Sequence, residues 1–97
     1  MNIAGFDWDA GNWPKCGKHG VSQAEIEALF GAARIAPDWA HTHREPRYIA
    51  VGRNAWGRPM FVAFAFRHQE GRLLIRPISA RYMHAREARR YEESSAI

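Results

Sequence analysis

Lysine, cysteine and long apolar runs are all scarce in this chain, and each scarcity removes a class of function. Only one of the 97 residues is cysteine, so Cys16 has no internal disulfide partner and the fold must rest on a core rather than on cross-links. No apolar stretch approaches the ~20 residues that a membrane-spanning helix needs, and the N-terminus carries no basic-then-apolar export signal. These absences point to a reducing cytoplasm and to no membrane partner. Repeats, low-complexity tracts and linkers are also missing, so the expectation is a single domain over residues 1–97. Lys15 and Lys18 are the only lysines among 14 basic residues, which makes the positive charge almost entirely guanidinium.

That charge is unevenly placed. Residues 1–48 hold five basic and six acidic side chains, a balance of −1, whereas residues 49–97 hold nine against four, a balance of +5. A guanidinium fork matches phosphate oxygens and stacks on bases, so the second half reads as a nucleic-acid surface. The plainer reading is a face solvated by arginine. Hydrophobic residues make up 46% of the chain, enough for one compact core.

Ile3 to Trp8 alternates as a first strand and runs into turn residues at Asp9-Ala10-Gly11. Asn12 is placed to cap a short first helix, with Pro14 in its first turn and Gly20 at its end. A second helix has stronger signals: Ser22 and Glu25 form a capping box, Val21 and Ile26 a hydrophobic staple, and Ile26, Leu29 and Phe30 a buried stripe ended by Gly31. The texture then changes to strands at Arg34 to Ala36, Tyr48 to Arg53, Met60 to Phe66, and Arg72 to Ala80 or slightly beyond. An exposed loop is expected from Pro37 to Glu45, with turns at 54–57 and 69–71. A closing helix spans His84 to Glu93, with Ala85, Ala88 and Tyr91 inward and Arg86, Glu87, Arg89, Arg90 and Glu93 outward. This order predicts an α+β domain, an antiparallel sheet with two N-terminal helices and one C-terminal helix.

Chemistry at a phosphodiester without a metal needs a base for the attacking hydroxyl proton, an acid for the leaving oxygen, and fixed positive charge around the phosphate, so the residues of a nucleic-acid surface that could supply these are the candidates. His19 stands beside Lys18 at a helix end, which sets an acid or base next to a phosphate-binding cation; a helix C-terminus also favours a cation for its own sake. Glu45 is the rival base, because a carboxylate near arginines stays ionised at neutral pH. Arg47 and Arg53 lie six positions apart on one face of a strand and would clamp a phosphate together; alternatively Arg47 pairs with Glu45. Arg76 and Arg81 differ by an odd number of positions, so a regular strand sends them to opposite faces and only a bulge lets both line one site. Arg81 also has a structural reading, as a salt bridge tying the last helix to the sheet. Cys16-x-x-His19 and His41-x-His43 have admissible zinc spacing, but one cysteine and a loop location make a poor set, and no metal is expected. Asp7 and Asp9 share a strand face, with Asp9 expected in a cap or turn. Trp8 is expected in the core, and Trp39 and Trp56, in loops, as platforms for stacking bases.

Three segments recur in a telling order between Phe6-Asp7-Trp8-Asp9 and Tyr91-Glu92-Glu93. They are Gly17-Lys18-His19-Gly20-Val21-Ser22, Arg47-Tyr48-Ile49-Ala50-Val51-Gly52-Arg53, and Ile75-Arg76-Pro77-Ile78-Ser79-Ala80-Arg81-Tyr82-Met83 leading into the basic stretch 86–91. None is specific alone; in this joint order the chain resembles the BrnT toxins, a RelE-like group of bacterial ribonucleases. It departs from them at Trp13-Pro14 and Gly17, where relatives carry charged or helix-favouring residues. The resemblance implies a small RelE-like fold and a metal-independent endoribonuclease of the mRNA interferase type, without cofactor. With the reading of the residues above, the catalytic candidates are His19, Arg53, Arg81 and Glu45 and the RNA contacts Lys18, Arg47, Arg76 and Ser79; the resemblance tips His19 towards function and favours Arg81 over Arg76, with Ser79 as a further phosphate donor. It also implies a ribbon-helix-helix antitoxin, BrnA-like, through which alone the complex would meet promoter DNA. Two other readings stand beside it: a nucleic-acid-binding module without catalysis, and an inactive relative kept as a protein-interaction domain.

Overall fold

The computed structural model describes residues 2–41 and 44–93. Five strands form one sheet: β1 (Gly5–Phe6), β2 (Arg34–Pro37), β3 (Tyr48–Arg53), β4 (Pro59–Gln69) and β5 (Arg72–Tyr82), in the spatial order β1-β5-β4-β3-β2. Helix α1 (Gln23–Leu29) precedes β2 and helix α2 (Ala85–Glu93) follows β5. The α+β class is as expected, but the sheet is mixed. β2 to β5 pair antiparallel, whereas β1 runs parallel to β5 through Gly5↔Leu74 and Phe6↔Ile75. Parallel pairing needs a long crossover, which the chain supplies by placing α1 and three strands between the two.

The first N-terminal helix is also corrected. Instead of an α-helix there is one 3-10 turn, Lys15–Gly17. The side chain of Asn12, expected as its cap, is buried and used elsewhere, and the close approach of Trp13 to Gly17, where a Cβ would meet the indole at 2.8 Å, favours a tight turn. Helix α1 forms as expected: Ser22 Oγ accepts from the Glu25 amide at 3.1 Å and Glu25 Oε1 accepts from the Ser22 amide at 3.1 Å. That reciprocal cap satisfies two otherwise orphaned donors.

Alternate residues of β4 divide the sheet into two faces. Met60, Val62, Phe64 and Phe66 point to the side covered by α1, where they meet Ile26, Leu29, Ile75, Ala80 and the 3-10 turn through Cys16. Aromatic rings dominate this core: Phe64 packs edge-on against Phe30 at 5.0 Å and Phe66 at 5.3 Å and stacks on Tyr48 at 5.7 Å. Trp8 joins the rim, edge-on to Trp13 at 5.5 Å, with its ring N–H donated to Glu27.

Helix α2 covers one end of the opposite face with a small second core of Val51, Met83 and Ala88, flanked by Phe61 and Tyr91. Ala88 and Tyr91 face inward as expected, but Ala85 is exposed and Glu87, expected outward, is half-buried against Arg81. The helix docks by its middle and C-terminal turns, which carries Ala85 clear of the sheet. Within the expected 37–45 loop, Pro37 belongs to β2 and Trp39–His41 forms a second 3-10 turn. His43 of the considered zinc pattern lies outside the described residues.

Candidate functional site

The face of the sheet opposite α1 is organised by one irregularity. Pro77 pairs with Phe64 and Ser79 with Ala63, so Ile78 is an extra residue in β5. Such a bulge shifts side-chain alternation by one. Arg76 therefore stands opposite Ala65, Ser79 opposite Ala63 and Arg81 opposite Phe61. Residues paired across an antiparallel ladder share a face, so Arg76, Ser79 and Arg81 all lie on the same side despite their odd spacing. Arg67, two positions beyond Ala65, follows the same alternation, and the small Ala63 and Ala65 add no bulk between the arginines.

Each of these guanidiniums is held by carboxylates. Arg76 reaches Asp9 through two contacts of 3.0 Å and Asp7 at 3.2 Å. Hydrogen bonding from Arg76, with the Gly11 amide, holds the Asp9 carboxyl below the usual carboxylate range. The same segment is anchored by Asn12, only 3% exposed, whose amide donates to the carbonyls of Asp7 at 2.9 Å and Pro77 at 2.8 Å while its Oδ1 accepts from the Asp9 amide. Asn12 thus ties the acidic loop to β5 next to the bulge, with all its buried polar atoms satisfied. Arg67 grips Glu45 at 2.6 and 3.2 Å. Arg81 grips Glu87 of α2 through two bonds of 2.8 Å and lies over the Phe61 ring at 4.6 Å. The Arg81 hydrogen bonds hold Glu87 below its ordinary pKa, and Glu87 in turn raises that of Arg81.

A second arginine group lies under the end of α2. Arg53 pairs with Glu92 at 2.9 and 3.0 Å and donates to the Gly57 carbonyl, while Arg34 donates to the carbonyls of Tyr91 and Glu92. These two carbonyls belong to the last turn of α2, where helix acceptors lack internal partners. A cavity of about 370 Å³ opens between Arg34, Arg53, Val51 and Tyr91.

The expected residues are thus only partly brought together. Arg76, Ser79 and Arg81 share a face, and Glu45 reaches that face through Arg67. Arg47 and Arg53 do not converge: β3 lies between them, and at ~3.3 Å per residue six positions separate them by about 20 Å. Glu45 takes Arg67 as its partner, and Arg47 lines a cavity of about 370 Å³ with His41, Arg44 and Glu45. Lys18 and His19 are exposed after the 3-10 turn, and no hydrogen bond joins either to an arginine among the described residues. The structural reading of Arg81 is present in the geometry, since its pair with Glu87 does fasten α2 to β5.

Sequence reasoning missed Arg67, which continuing the alternation Phe61, Ala63, Ala65 would have found, and it missed Asp7 and Asp9 as partners of Arg76. Cys16 is buried while His19 is exposed, and among the described residues no three His, Cys, Asp or Glu side chains gather as a metal site. No described helix is long and apolar enough to cross a membrane.

Chemically, this face is a row of forked cations whose orientation is already set. A phosphate has the same bidentate geometry as the carboxylates and can exchange with them, which releases a carboxylate beside the bound phosphate. Residues 8–87 match a family described as ribonuclease toxin, BrnT, of type II toxin-antitoxin systems. No curated protein matches the chain.

Proposed function

The chain belongs to the BrnT family of ribonuclease toxins of type II toxin-antitoxin systems, and from that premise we propose that it is a metal-independent endoribonuclease of messenger RNA, restrained by a ribbon-helix-helix antitoxin. The observation that supports this most is the bulge at Ile78, which gathers Arg76, Ser79 and Arg81 on the face where Arg67 holds Glu45. In this reading the scissile phosphate takes the Arg81 fork, Arg76 on the same face holds a neighbouring phosphate, and the Ser79 hydroxyl adds a donor. Glu45 removes the 2′-hydroxyl proton, the 2′-oxygen attacks phosphorus, and the bond to the 5′-oxygen breaks as that oxygen takes a proton from solvent water, with the Glu45 proton returned to solvent afterwards. Charge building on the phosphate is met by fixed guanidiniums, the usual source of rate in such sites. His19 is the rival base, with Lys18, Arg47 and Arg53 contacting RNA beyond the scissile group. An acidic segment of the antitoxin would compete for the same arginines, so inhibition should weaken at high salt.

The purified protein is expected to cut single-stranded RNA in EDTA and to leave a 2′,3′-cyclic phosphate and a 5′-hydroxyl. A requirement for magnesium, or equal cutting of DNA, would overturn the mechanism. One observation favours a second reading: Arg53, Arg67, Arg76 and Arg81 are all occupied by carboxylates, as suits an inactive relative that serves as an interaction domain. Antitoxin binding without any cleavage of RNA would select it.

A further inference from the structure

Trp56 is 83% exposed at the tip of the β3–β4 turn, yet that turn is tightly ordered. Asn54 Oδ1 accepts from the amides of Trp56 at 3.0 Å and Arg58 at 2.9 Å, the Asn54 amide donates to the Arg58 carbonyl at 2.9 Å, and Gly57 takes a left-handed φ of 81°. Asn54 is itself fixed, because its amide nitrogen donates to Glu25 Oε2 at 2.9 Å. That carboxylate also accepts from Tyr82 Oη at 2.7 Å and from the amide and hydroxyl of Ser22. Burial raises the Glu25 pKa, but the hydrogen bonds from Asn54, Tyr82 and Ser22 outweigh it and bring the value down to about 2. Both oxygens of Glu25 carry two donors each, so the group anchors the turn and has no acceptor left for a ligand.

The same anchor orders a cation. Arg58 lies over the Tyr82 ring, 3.6 Å from its centroid, while the Tyr82 hydroxyl is held by Glu25. Unlike Arg53, Arg67, Arg76 and Arg81, it has no carboxylate partner among the described residues. Its planar N–H fork is therefore positioned and unfilled. Beneath Trp56 a groove of about 490 Å³ runs along α1, floored by Ala28 and Leu29 and walled by Asn54 and Arg53. Arg53 also walls the cavity under α2, so the groove continues the arginine-lined surface.

We propose that this turn and α1 form a nucleotide subsite, in which one unpaired RNA base stacks on Trp56 and an adjoining phosphate is held by Arg58. An exposed indole carried on a backbone that hydrogen bonds already fix loses less freedom on binding and offers a flat face that any base can cover. The unfilled fork favours RNA over a peptide as occupant: the exposed indole stands beside Arg58, which has no carboxylate partner among the described residues, whereas Arg53 is already paired with Glu92 and Glu25 has no acceptor left for a peptide amide. The subsite rests on the reading that RNA is the ligand, and it does not depend on cleavage.

The test uses the full chain and a 2′-O-methyl oligoribonucleotide, which binds but cannot be cut through its 2′-oxygen, with affinity read by fluorescence anisotropy. Trp56→Ala should weaken binding about five- to a hundredfold, the loss of one base stack, and Trp56→Phe should recover most of it. Arg58→Ala should weaken binding and lower the salt slope by somewhat less than one ion. Scanning a single abasic position along the oligonucleotide should find one site that weakens the wild type and leaves Trp56→Ala unchanged. Wild-type affinity in Trp56→Ala overturns the proposal. So does a variant that keeps its grip on RNA but loses the antitoxin, which would make the groove a protein-docking site. Stacking behaviour in a protein that never cuts RNA would support the subsite and overturn only the cleavage mechanism.

Discussion

The two faces of the sheet share the same strands and obey opposite physics. Toward α1, Met60, Val62 and Phe64 of β4 are fully buried among other apolar groups, and the packing is held by ring contacts of 5.0 to 5.7 Å. On the other side β4 offers Phe61, two alanines and Arg67, and β5 offers Arg76, Ser79 and Arg81. Burial stabilises the first face without regard to direction. Outside the small core under α2, the second is a set of ion pairs with partners at 2.6 to 3.2 Å, where the more exposed pairs contribute little to stability but fix where a charge points. Stability and charge presentation are thus divided between faces, and a substitution should disturb mainly one of them.

The largest effect should come from the apolar face. Phe64→Ala removes a ring that is 0% exposed and should cost about 3–5 kcal/mol, read by urea denaturation. A loss under about 1 kcal/mol would show that this face is not the main store of stability. Next comes Arg81. Arg81→Ala should slow single-turnover cleavage about a hundredfold or more while lowering stability by only about 1 kcal/mol, because the Glu87 pair is 41% and 22% exposed. Arg81→Lys should recover little, since an ammonium keeps the charge and loses the fork. A large drop in melting temperature with near-normal activity would make Arg81 a fastener of α2 alone.

The smallest effect is also the sharpest test of the division between faces. Deleting Ile78 closes the ladder so that Pro77 and Ser79 become consecutive partners of Phe64 and Ala63, and all three open-face residues keep their side. The cost should be about 1 kcal/mol, with cleavage within a few-fold of wild type. In a regular strand the same deletion would turn Arg81 over. Loss of both folding and cleavage on deletion, where Ile78→Ala retains them, would break the assignment of faces.

Several elements were legible because their causes are local. The capping box of α1 needs only Ser22 and Glu25 three positions apart, and the central strand needs only the run from Met60 to Phe66. Asn12 shows the limit: as a sequence it is a good helix cap, but a distant partner, the Pro77 carbonyl, claims its side chain. Arg47 and Arg53 show a different failure: shared parity put them on one face, but the six-residue spacing, about 20 Å at ~3.3 Å per residue, already kept them apart. Glu87 was assigned outward from helix periodicity, which cannot anticipate that a guanidinium of β5 waits on that side.

By itself, then, the sequence determined the order of elements, the apolar face and the concentration of arginine in the second half, because periodicity, capping and composition act over a few residues. Tertiary structure alone decided that β1 pairs in parallel, that Arg67, Arg76 and Arg81 each meet a carboxylate from elsewhere in the chain, and that Arg76 and Arg81 look the same way. The bulge that aligns those two exists only as a relation between strands: one residue of β5 has no counterpart in β4, and that mismatch comes into being only when the strands pair.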